Sequence, residues 1–118
     1  MQFVPTAAEL AAAIARLLDE QVMGAVPPHL RHPVRVAGHL ALLLEREARL
    51  GPANAERERQ LLNDLLGVEV ADPNVEVAAR IRDTDDAEFE QRAWATLVEI
   101  TRGDLAVAKP GHDSWEGM

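Results

Sequence analysis

Residues 33–50 read PVRVAGHLALLLEREARL, and Gly51 and Pro52 follow. At 100° per residue, Val36, Ala37, Leu40, Ala41, Leu43, Leu44, Ala48 and Leu50 spread over about half of a helix circumference. A stripe that wide belongs to a helix with neighbours on several sides, so this segment is expected to be the central helix of a bundle. Gly51 and Pro52 supply its terminator, because glycine adopts the C-cap conformation and proline cannot continue the ladder.

The flanking segments repeat the pattern. Thr6 and Glu9 form a capping box, and Leu10, Ile14, Leu17, Leu18 and Val22 then share one side at helical spacing. Gly24 and the Pro27-Pro28 pair stop that helix. A third helix is expected from about Asn54 to Leu66, with Gly67 as its C-cap. Asp72-Pro73 opens a fourth helix to about Arg82, after an extended Val68-Glu69-Val70 link. The last helix starts near Thr84 or Asp85 and carries Phe89, Ala93, Trp94, Leu97 and Ile100. Gly103 either ends it or is passed on the way to Val107. The expectation is an all-α, single-domain bundle of about five helices with short loops over residues 1–108, and a tail from Lys109 to Met118.

Composition agrees and removes whole classes of function. The chain has 118 residues, 47% of them hydrophobic and 3% aromatic, with a net charge of −8 and no cysteine or tyrosine. Without cysteine there is no thiol nucleophile, zinc–thiolate site, iron–sulfur cluster or disulfide. An acidic chain lacks the basic surface that nucleic-acid binding needs. No apolar run approaches the roughly 20 residues of a membrane span, and the N-terminus does not read as a signal peptide. A cytoplasmic protein without cofactor, membrane or nucleic-acid partner is expected.

Catalytic candidates are few. Ser114, the only serine, sits in the expected tail beside His112 and Asp113, where no oriented triad can be held. Lys109, the only lysine, is in the same tail. His32 and His39 are seven residues apart rather than the three or four of paired helical metal ligands, and Pro33 separates His29 from the expected helix. The acidic run Asp83, Asp85, Asp86 and Glu88 begins like a calcium loop, but Trp94 stands where the bidentate glutamate belongs. No metal site is expected.

Charge distribution is more informative. Residues 71–90 carry a net −5, whereas residues 31–50 carry +2. Arg31, Arg35 and His39 follow at four-residue spacing, with His32 beside them. Cations at a helix start oppose the macrodipole, so a second reason for them is expected. One is an anion pocket in which helix N–H groups and the arginines hold a phosphate or carboxylate. The other is neutralisation of the acidic run from Asp83 to Glu90. Glu47 falls within the apolar stripe, between Val36, Leu40 and Leu43; buried, it would be the best acid or base, and near a helix end it can instead reach outward. Leu42 lies on the opposite side among Arg35, Glu45, Arg46 and Arg49, and with Arg46 and Trp115 it marks an interaction surface.

Several stretches carry a resemblance: Thr6-Ala-Ala-Glu-Leu10, Leu30-Arg-His-Pro-Val-Arg-Val-Ala-Gly-His39 leading to Leu44-Glu-Arg-Glu47, Ala79-Arg-Ile-Arg-Asp83, and Leu105-Ala-Val-Ala-Lys-Pro110. In order along the chain, they resemble a bacterial family of small helical proteins of unknown function. Its members are encoded beside aminoglycoside-phosphotransferase-like kinases and acyl-CoA dehydrogenases. That family usually has asparagine at the position of His39, which weakens a role for this histidine. It has no established catalytic residues to carry over. The resemblance implies context, an accessory to a kinase-plus-dehydrogenase pathway acting on acyl groups or related small molecules. The leading expectation is a non-catalytic accessory or interaction module working with a phosphotransferase-like kinase, with a homodimer as one form. The alternative is a domain that binds a small anion (phosphate, carboxylate or CoA-like) at the basic start of helix two. An enzyme using Glu47 or a histidine ranks last.

Overall fold

Thr6 opens the first helix as expected: its Oγ1 accepts a hydrogen bond from the Glu9 N–H at 3.1 Å. This computed structural model describes residues 4–112, and among them there are helices and no strand. Helix α1 spans Ala7–Leu17 and widens into a π-helical turn, Leu18–Val22, where the Met23 N–H reaches back five residues to the Leu18 carbonyl. Helix α2 spans Pro28–Leu66, α3 Pro73–Asp83 and α4 Ala87–Ala108.

Among the described residues the helix count is therefore four rather than five, because the second and third expected helices are one. Neither Gly51 nor Pro52 ends α2. Termination at glycine requires a left-handed residue that turns the chain away from the ladder. Among the described residues only Gly67 and Gly111 have positive φ, at 78° and 97°. Gly67 ends α2, and its N–H bonds the Asn63 carbonyl at 2.9 Å. Gly51 stays helical, and Pro52 costs its neighbourhood one backbone hydrogen bond without breaking the helix. The start also moves: α2 begins at Pro28, whose fixed φ suits a first helical position, and runs through Pro33.

Contacts divide the chain into two compact units, one up to Gly51 and one from Pro52. In the N-terminal unit, α1 and the first part of α2 are joined by residues 23–27, and the buried residues are alanines: Ala11, Ala15 and Ala41. The apolar stripe expected to face a core does not do so here. Leu10, Ile14, Leu17, Val36, Leu40 and Leu44 are exposed, Leu40 by 55% and Leu44 by 64%. Alanine seams let two helix backbones approach closely, and the larger side chains are left on the flank.

The C-terminal unit has a core of the ordinary kind. Leu62 and Leu65 from the end of α2, Val77 from α3, and Phe89 and Ala93 from α4 pack together, with Leu66 and Ile100 against them. Phe89 is fully buried, and the Arg80 guanidinium lies 4.4 Å from its ring centroid. Both helix starts are capped. Asp72 accepts from the Val75 N–H, and Asp86 accepts from the N–H groups of Glu88 and Phe89 at 3.0 and 3.4 Å. Helix α4 continues through Gly103, whose carbonyl accepts a 3.0 Å hydrogen bond from the Asn54 amide. A Cβ on Gly103 would meet that amide at 3.4 Å, an ordinary van der Waals contact. After α4, the Lys109 N–H bonds the Leu105 carbonyl and the His112 N–H bonds the Lys109 carbonyl. Ser114 and Trp115 lie outside the described residues.

Candidate functional site

The N-terminal hairpin has two flanks, one on each side of its alanine seam. On α1, Arg16, Asp19 and Met23 fall to one side of the Ala11–Ala15 line, and Leu10, Ile14 and Leu17 to the other. On α2, Arg35, Gly38, His39 and Leu42 fall to one side of Ala41, and Val36, Leu40 and Leu44 to the other.

The polar side forms a groove of about 590 Å³. Ala12, Ala15, Arg16, Asp19, Glu20 and Met23 line it from α1 and the π-helical turn; Val34, Arg35, Gly38, His39 and Leu42 line it from α2. The volume lies within the range of small-molecule sites. The π-turn widens the helix beside the groove, a deviation found disproportionately at functional sites.

This places the residues expected from the sequence. Arg35, His39 and Leu42 come together in the groove wall. Because α2 begins at Pro28, Arg31 shares their helix, yet Arg31 and His32 are exposed and do not line the groove. Arg46 is half-buried. Glu47 is exposed, so it is not a buried acid; a helix whose inward face is an alanine seam leaves this position in solvent. Its carboxylate lies over Gly51, where a Cβ would meet Oε1 at 2.6 Å.

Three charged groove residues were not singled out by sequence reasoning: Arg16, Asp19 and Glu20. Only the helical hairpin brings them beside Arg35 and His39. They change the electrostatics. Two arginines and two carboxylates cancel, so the groove offers both signs around an apolar floor rather than a net positive cradle. Among the described residues, the Arg49–Glu45 pair at 3.0 Å, the Arg57–Glu99 pair at 3.2 Å and the Arg102–Glu99 pair at 2.9 Å use none of these side chains. The groove charges remain available to a partner.

Elsewhere, Asp86 of the acidic run is used as a helix cap, and Asp83, Asp85 and Glu88 are exposed. Among the described residues, no group of three or more His, Asp or Glu side chains gathers as a metal cluster. No helix among them is long and apolar enough to cross a membrane. Trp94 and Leu97 on α4 are exposed beside a smaller apolar cleft of about 170 Å³.

No curated protein and no solved structure matches the chain. Residues 24–112, well over half of the chain, match a family described as a domain of unknown function (DUF6285); that region contains all of α2, α3 and α4 and leaves α1 outside. The chain belongs to this uncharacterised family.

Proposed function

We propose that the protein is a non-catalytic interaction module that docks a partner protein on its polar groove face. The observation that carries this reading is the groove itself. It presents Arg16, Arg35, Asp19 and Glu20, without ion pairs among the described residues, around Leu42 and an alanine floor. Opposite charges at the rim of an apolar patch set orientation and specificity in protein docking more than they set raw affinity. The partner we assign is a phosphotransferase-like kinase, in a cytoplasmic pathway that includes acyl-CoA dehydrogenases; the sequence resemblance supports that context. Co-purification with the neighbouring kinase tests it, with wild type and Arg35→Glu side by side. Wild type is expected to retain the kinase, and Arg35→Glu to retain at least tenfold less.

The second reading is a small-anion site, favoured by the early start of α2, which sets Arg31, Arg35 and His39 on one helix near its N-terminus. Asp19 and Glu20 in the groove oppose it. If wild type retains no kinase while phosphate or CoA raises its melting temperature, the anion site replaces the docking module.

A further inference from the structure

We propose that the apolar flank of the N-terminal hairpin, on the far side from the groove, is the contact surface for a second copy of this chain. The pairing is antiparallel and two-fold, centred on Leu40. It does not rest on the kinase reading, because it uses the other side of the alanine seam.

The flank carries Leu10, Ile14 and Leu17 from α1, with Val36, Leu40 and Leu44 from α2, all of them exposed. Six such side chains, each about half exposed, present on the order of 600 Å². That is most of the roughly 800 Å² each partner contributes to a standard interface, and it reaches the upper end of what an ordinary monomer leaves open. Two antiparallel helices with one apolar face make half of a four-helix bundle, and an identical half completes it under two-fold symmetry.

The order of residues along α2 supports self-pairing over a foreign partner. A two-fold axis at Leu40 sets Leu40 against its own copy and Val36 against the second copy's Leu44. It also sets Glu47 beside the second copy's Pro33, within about a turn of His29 and His32. The apolar ridge therefore pairs with itself, and the carboxylate at one end meets imidazole N–H donors at the other. Net charge is no obstacle at this surface. The chain carries −8 overall, yet on this flank the ridge holds a single charged residue, Glu47, about two turns from the axis.

The absence of native cysteine makes the geometry directly testable. Light scattering of the full chain at micromolar concentration is expected to give twice the 12.9 kDa chain mass. Leu40→Cys is expected to form a covalent dimer under a mild oxidant, because the axis brings the two Cα atoms within about 7 Å of each other. Leu42→Cys, on the groove side, is expected not to. Leu40→Glu is expected to give monomer with its helical circular dichroism retained, and Leu42→Glu to remain dimeric. A wild-type monomer at every concentration overturns the proposal and leaves the flank to a different protein. A dimer that crosslinks through Leu42→Cys and not through Leu40→Cys overturns it as well. Kinase retention is read separately through Arg35→Glu, so failure of one proposal is not failure of the other.

Discussion

The two units of this chain are built from the same residue types and solve burial differently. The C-terminal unit encloses Phe89, Leu62, Leu65, Val77 and Ala93 from three helices, and its polar groups close the gaps between them. Asn54 donates to the Gly103 carbonyl, and Asn63 accepts from the Val70 N–H at 3.2 Å. The N-terminal unit buries three alanines and leaves Leu10, Leu17, Leu40 and Leu44 exposed. Burial of apolar area is the main favourable term in folding, at about 25 cal/mol per Å². The C-terminal unit therefore has a core of its own, although Trp94 and Leu97 stay exposed, whereas the N-terminal unit buries no large apolar side chain. Surfaces left open by a fold are where function is to be sought, and both proposals lie on the hairpin for that reason.

The largest effect that tests this contrast is a pair of truncations. Phe89→Ala is expected to destabilise the protein by about 3–5 kcal/mol, because it removes a fully buried ring and the face on which Arg80 rests. Leu40→Ala, an equally apolar truncation in the N-terminal unit, is expected to cost well under about 1 kcal/mol in dilute solution. Urea denaturation below the dimerisation range measures both. Equal costs would show that Leu40 is covered within the chain and would remove the contrast.

A smaller effect concerns the caps. Asp86 holds two otherwise free N–H groups at the start of α4, one of them the N–H of Phe89, so Asp86→Ala is expected to cost about 1 kcal/mol. Asp86→Asn should recover most of that loss, since the amide oxygen accepts the same bonds. The smallest effect has the opposite sign. Gly38 is inside α2, and a methyl group added there would meet nothing within 4 Å, so Gly38→Ala is expected to stabilise by about 0.5–1 kcal/mol. Thermal melting detects it, and a loss of stability would show that the space beside Gly38 is occupied.

The local signals were legible. Thr6, Asp72 and Gly67 act at the positions expected of them, because a cap involves only a few consecutive residues. Asp86 caps α4 within two residues of the expected start. The apolar positions of the C-terminal unit were legible in part: Phe89, Ala93 and Ile100 recur at helical spacing and lie in or against the core, whereas Trp94 and Leu97, read with them, are exposed. Gly51-Pro52 misled because the same residues either stop a helix or ride within it. The choice depends on the glycine's φ, which its neighbours set. The candidate site was half legible. Arg35, His39 and Leu42 stand on one helix at readable spacing, but Arg16, Asp19 and Glu20 lie some twenty residues earlier, across a turn. The π-helical segment adds a residue to one turn and rotates the residues after it, and no periodicity in the sequence announces it.

What the amino-acid order determined by itself is the helical class, most of the helix starts and stops, and the exclusion of cysteine chemistry. Each of these depends on propensity, capping or inventory, which act within a few residues. Which face of α2 turns inward was decided only by tertiary structure. Its stripe of Val36, Leu40 and Leu44 is apolar enough for a core, but that stripe is exposed and Ala41 is the residue that is buried. Burial is a property of pairs of surfaces, and one helix cannot specify alone which of its faces finds a neighbour.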